Sequence, residues 1–191
     1  MMRSALVDLS THHDNRGLQP PGTDGDYGFN VWRNTFPAEE LPPPGSTVTV
    51  AGVPFAFPAP AAGGDNVRCR GQRIAVPAGS YDWIYLLGAA ERRTEDVVTL
   101  HYADGSTGTA HLRMSDFWPQ TPDRFGEPLA FRTSAMRYPR HTHADHAPSI
   151  WQQRVPVTGP GELVAVRLPD NPGMHVFAIT VVADPEARHA R

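Results

Sequence analysis

Chemistry-bearing side chains are unevenly spread along this 191-residue chain, and the densest stretch is RHTHADH, Arg140 to His146. It packs three histidines and an aspartate into seven positions. In an extended segment His141 and His143, two residues apart, point the same way. With His146 brought in by a turn, three imidazoles and an open fourth position would describe a catalytic zinc site, with Asp145 orienting one ring from behind. A cupin-like centre would want a glutamate soon after the His-x-His pair, and none occurs before Glu162. The segment ends in Ala147-Pro148 between two strand-like runs. It therefore reads first as a polar connection, with His141 and His143 as candidates for ligand contact.

A second constellation is aromatic. Tyr27 and Trp32 stand in a stretch rich in Gly and Pro, and Trp118 stands in SDFWP, so these rings fall in loops, where binding residues concentrate. A flat ring stacks well on the C–H face of a pyranose, with polar groups at its rim to fix orientation. Arg33, Asn34, Arg113 and Asp116 could form that rim. Trp83 and Trp151 lie in apolar runs and read as core. HDNRG and PDNPG place Asp14, Asn15, Asp170 and Asn171 as hard oxygen donors for a structural calcium ion, although Asx turns account for the same residues without metal. No cofactor is required by this reading.

Signals for nucleophilic catalysis are absent from the sequence: it has no Gly-x-Ser-x-Gly elbow and no phosphate-cradling loop. Cys69 is the one cysteine, so no internal disulfide forms, and strand alternation turns Arg68 and Arg70 away from its thiol. A net charge of -3 without a basic run argues against a nucleic-acid partner. No apolar run approaches the ~20 residues needed to span a bilayer, so no membrane partner is expected. MMRSALVDLSTHHDN lacks the apolar core of a signal peptide, and a cytoplasmic protein is expected.

The elements that position these residues are strands. Twenty prolines and 17 glycines separate apolar runs of strand length, and no window keeps a period near 3.6. Candidate strands begin at Ala5, Thr47, Val53, Gln72, Trp83, Asp96, Thr107, Leu129, Ser149, Leu163 and Met174. The fold class is all-β, an antiparallel β-sandwich spanning 1–183, with a long loop excursion from Thr11 to Pro44 and a flexible tail over 184–191. In VVTLHYADGSTGTAHLRM, a three-residue loop from Asp104 to Ser106 pairs Leu100 with Ala110 and Val98 with Leu112. That register gathers the apolar groups on one face and turns His101 and His111 outward.

In order, VDLSTHHDNRGL, FPAEELPPPGSTVTVAGVPFAFP, DNVRCRGQRIAVPAGSYDWIYLLGAA, VVTLHYADGSTGTAHLRMSDFW and VRLPDNPGMHVFAITV resemble an accessory domain of bacterial glycoside hydrolases. That domain is a galactose-binding-like jelly roll, and the likeness runs from about Leu6 to Val182. The resemblance implies a sandwich that binds carbohydrate or supports a neighbouring catalytic module. Two functions stay open. One is a non-catalytic module that binds a saccharide or a glycosylated small molecule. The other is an intracellular cyclase, isomerase or lyase of a biosynthetic pathway, using one of His12, His13, His141, His143, His146 or His175 as acid or base. Oligomeric state is not encoded in any of these features.

Overall fold

The computed structural model describes residues 3–59, 63–118 and 125–184. Its strands in chain order are β1 (Arg3–Val7), β2 (Leu18–Gln19), β3 (Phe36–Pro37), β4 (Thr47–Val50), β5 (Val53–Ala56), β6 (Val67–Arg68), β7 (Arg73–Gly79) and β8 (Trp83–Ala90). Then follow β9 (Thr94–Tyr102), β10 (Thr107–Met114), β11 (Leu129–Arg132), β12 (Met136–Tyr138), β13 (His141–His143), β14 (Ser149–Pro156), β15 (Leu163–Arg167) and β16 (Met174–Ala183). A single 3-10 turn, Ala38–Glu40, is the helical element among the described residues. No helix there is long and apolar enough to cross a membrane.

Two antiparallel sheets form the sandwich, one ordered β1-β16-β8-β14-β11 with β6 also on β16, the other β10-β9-β15-β7. Alternation along β9 and β10 sends Val98, Leu100, Ala110 and Leu112 inward, where they meet Ile84, Leu86, Val155, Ile179 and Val181. The β9–β10 hairpin keeps those faces but in a different register: Leu100 lies opposite Gly108 and Val98 opposite Ala110. Its three-residue loop is Ala103 to Gly105, one position earlier than expected. Gly105, at φ 84°, supplies the left-handed residue that closes such a loop, and Tyr102 N–H donates to Ser106 O (3.0 Å).

Beyond these two layers lies a third. Every residue of β16 is buried, because its second face is covered by the early excursion and the β4–β5 hairpin. Phe29, Phe36, Phe55, Phe57 and Phe117 pack there against Leu87, Ala89, Ile150, Phe177 and Val182. A bulge between Val176 and Ala178 switches the alternation, so that Phe177 and Ala178 both face this cover. Full burial of one such side chain contributes about 1.5–3 kcal/mol. Phe29 is the hub: its ring lies 5.4 Å from Phe36, 4.8 Å from Phe117 and 4.0 Å from the His175 imidazole. The excursion is therefore a packed lid on the central sheet rather than a free loop.

Two expected elements differ locally. The run from Leu129 divides at Thr133 into β11 and β12, and RHTHADH supplies β13, which pairs with β12 as a small hairpin. Of the expected tail, 185–191 lie outside the described residues. Asp184 is held, its N–H donating to Asp82 Oδ2 (2.8 Å).

Candidate functional site

Four chain segments meet above the Phe29 cluster. The first is the tip of the excursion. There Asn30 turns its side chain back on the chain, Oδ1 accepting from the N–H of Trp32 (3.1 Å) and of Asn34 (3.2 Å). Phe29 N–H donates to Asn34 O (2.6 Å), and Arg33 takes φ 60° to close the loop. Held this way, Trp32 stands 60% exposed while Asn34 is 1% exposed.

The second segment leaves β10. Phe117 is buried in the aromatic cluster and its N–H donates to Ala90 O (2.9 Å). Asp116 Oδ1 accepts from Trp118 N–H (2.7 Å), fixing the tryptophan beside it, and Asp116 O accepts from Trp151 Nε1 (3.0 Å). The β8–β9 turn brings Glu91 and Arg92, and β12 brings Tyr138. Together these segments enclose a cleft of about 470 Å³ lined by Trp32, Asn34, Glu91, Asp116, Trp118 and Tyr138.

The cleft has an unsatisfied donor and a braced acceptor. Asn34 Nδ2 has no hydrogen-bond partner among the described residues. Buried polar groups are ordinarily paired, so this orphaned amide, shut from solvent as the wall stands, gains a partner only where the wall gives way to an incoming acceptor. Glu91 Oε1 is held by Arg68 Nη2 (2.5 Å) and His175 Nε2 (3.3 Å). Burial works to raise the Glu91 carboxyl, but the hydrogen bonds and charges of His175 and Arg68 prevail and hold it below the usual carboxylate value. The His175 ring is 0% exposed, and its Nδ1 lies between Asn66 Oδ1 (2.9 Å) and Asn15 Nδ2 (3.3 Å). Burial pulls its pKa down, with Glu91 opposing. Sealed from the cleft, it reaches a ligand only through Glu91.

Of the residues singled out from sequence, the fold gathers Trp32, Asn34, Asp116 and Trp118 into the one cleft. Arg33 points elsewhere, Nε donating to Tyr27 O (3.1 Å) beside a neighbouring depression. Arg113 lies outside the cleft lining and pairs with Glu95 (2.5 Å). His141 and His143 are exposed on β13, outside the lining, yet joined to it by a ladder of rings. Tyr138 stacks on His141 at 4.8 Å, His143 lies 4.9 Å from His146, and His146 lies 5.3 Å from Trp118. No cluster of three or more His, Cys, Asp or Glu side chains with metal-holding geometry occurs among the described residues.

The four oxygen-donor candidates are spread over separate contacts. Asp14 Oδ1 accepts from Arg68 N–H (2.7 Å), and Asn15 Nδ2 donates to Asn66 Oδ1 (3.2 Å). Asn171 Nδ2 donates to Asp96 Oδ2 (3.1 Å), while Asp170 is exposed. Cys69 is wholly buried and burial pushes its thiol up, so it is inert. A larger groove of about 750 Å³ lies between β10 and β14. Its polar walls are mostly engaged already: Gln153 donates to Glu127 (2.6 Å), Gln152 to Val50 O (3.0 Å), and Arg154 covers Trp83.

Sequence reasoning missed Asn30, Glu91 and Tyr138. Glu91 had a legible signal, as the first charge after the apolar run from Trp83 to Ala90. A family model for the AziU2-like β-sandwich domain matches residues 3–185. No curated protein matches the chain.

Proposed function

The chain belongs to the family of AziU2-like β-sandwich domains, and on that premise we propose that it is a non-catalytic binding protein whose cleft takes a saccharide or a glycosylated small molecule. The observation that carries the reading is the convergence of Trp32, Trp118 and Tyr138 on one cleft with the unpaired Asn34 amide and the Glu91 and Asp116 carboxylates. Ring faces give apolar contact to the C–H side of a pyranose, and the amide and carboxylates meet its oxygens and hydroxyls. A cleft of about 470 Å³ suits one or two sugar rings. The likeness to galactose-binding-like accessory domains supports the same ligand class. Turnover finds less support, since His175 is sealed beneath the floor of the cleft.

Titration of intrinsic tryptophan fluorescence with a panel of methyl glycosides tests this. Trp32→Ala and Trp118→Ala are each expected to lose the response and the binding. Trp32→Ala leaves the thermal midpoint within about 2 °C, because an exposed ring contributes little to folding. Undiminished binding by both variants rejects the assignment.

A further inference from the structure

We infer that the ligand is an oligosaccharide of three or more rings, held beyond the cleft by a rim of imidazoles on and beside the β12–β13 hairpin. This rests on the saccharide reading above and narrows it. The hairpin is short, yet it is tied down at several points. Met136 is wholly buried in the phenylalanine layer. Thr35 N–H donates to Arg137 O (2.9 Å) and Arg137 N–H to Thr35 O (3.0 Å), which joins β12 to the excursion. The Arg137 guanidinium pairs with Glu39 and donates to Gln19 O. In the hairpin register Tyr138 lies opposite His141 and Met136 opposite His143, so alternation sets the Tyr138, His141 and His143 rings on one side, away from Arg137.

Those rings continue the cleft. Trp118 and Tyr138 line it, and two imidazoles outside the lining span the interval between them: Trp118 to His146 is 5.3 Å, His146 to His143 4.9 Å and His143 to Tyr138 5.0 Å. His141 stacks on Tyr138 and meets His143 at 4.7 Å, so the arc ends on exposed rings. A cleft of about 470 Å³ is filled by one or two sugar rings, and the next ring of a bound chain passes over this rim. An imidazole offers it a flat face for C–H contact and two ring nitrogens for hydroxyls. Apart from the Tyr138–His141 stack, the rings of the arc meet at 56–76°, so edges bearing nitrogen are presented as well as faces. A hydroxylated ring uses both, whereas a flat aromatic aglycone uses the faces alone. Because the backbone beneath is already anchored, little freedom is lost when the ligand docks.

The test is calorimetric titration of the full chain with gluco-, galacto- and xylo-oligosaccharides of one to four β-1,4-linked rings, and with the matching p-nitrophenyl monosaccharides. In at least one series the trisaccharide is expected to bind about fivefold or more tightly than the disaccharide, the gain of one further ring contact. The double substitution His141→Ala, His143→Ala alters exposed side chains and is expected to bring the trisaccharide to within about twofold of the disaccharide. A trisaccharide that binds no better than the disaccharide overturns this inference and leaves the saccharide reading standing. So does a gain with length that survives the double substitution, or a p-nitrophenyl monosaccharide that matches the trisaccharide. Binding by none of these sugars overturns both. If the double variant fails to fold, the length series on the unaltered chain decides by itself.

Discussion

Phe29→Ala is the perturbation that tests how the cleft depends on the layer beneath it. Phe29 is 0% exposed, and its ring touches four others: Phe36, Phe117, Phe177 at 6.4 Å and His175. Truncating a buried phenylalanine costs about 3–5 kcal/mol, from lost transfer free energy and from the cavity left behind. Because the neighbouring rings belong to three different segments, the hole closes poorly, and about 4 kcal/mol is expected. For a domain of this size that corresponds to a fall in melting temperature of roughly 8–16 °C. Urea unfolding followed by tryptophan fluorescence measures the loss, and amide hydrogen exchange locates it. The Phe36 N–H, bonded to Gly17 O (2.9 Å), should lose protection. Sandwich amides such as those of β9 and β10 should keep more of theirs. A loss under about 1 kcal/mol with unchanged Phe36 protection would refute the view that Phe29 pins the excursion to the sheet.

Three further expectations follow the same logic. Asp65 is pushed up to about 6 by burial, against the hydrogen bonds it accepts from Asn66 Nδ2, Leu18 N–H and Gly17 N–H. Its folded value exceeds the ordinary aspartate value of 3.8, so the folded chain holds the proton more tightly. The stability it contributes is full below about pH 4 and lost as pH rises through about 6. Relative to Asp65→Asn, the native chain should lose up to about 3 kcal/mol between those limits, read from urea melts at pH 4 and pH 7; an equal difference at both counts against it. Gly88→Ala would set a methyl 2.7 Å from Met114 Cε and 2.9 Å from His175 O. The methionine end can swing away and the carbonyl cannot, so about 1–3 kcal/mol is lost, measurable by thermal denaturation. Asn30→Ala leaves the Trp32 and Asn34 N–H groups without their acceptor and should loosen the tip, lowering stability by about 1 kcal/mol and sugar affinity several-fold in the fluorescence titration.

Strands were legible because their signal is local. Alternation in β9 and β10 and the Gly and Pro punctuation between runs placed the sandwich, and Asx- and Gly-rich context marked Trp32 and Trp118 as loop residues. The hairpin register slipped by two residues because several loop placements share one facing pattern, and only the φ of Gly105 separates them. What sequence reasoning did not reach was the third layer. MHVFAITVV, unbroken by polar alternation, is what a strand covered on both faces looks like, and Phe29 and Phe36 are out of place in a solvated loop. Glu91, Tyr138 and Asn30 join the cleft through tertiary contacts between segments far apart in the chain, which spacing alone cannot express.

The covering of β16 on its outer face also has a bearing on handling and evolution of this protein. Phe177, Ala178 and Val182 rest under residues contributed almost wholly by the first sixty positions and by the Phe117 and Met136 neighbourhoods. A protease nick or deletion that freed the N-terminal third would bare a broad oily plate at the centre of an intact scaffold. Such a truncated chain should precipitate or pair with itself rather than persist as a tidy minimal sandwich, so trimming this protein from its front end is a route to inclusion bodies, not to a smaller soluble module.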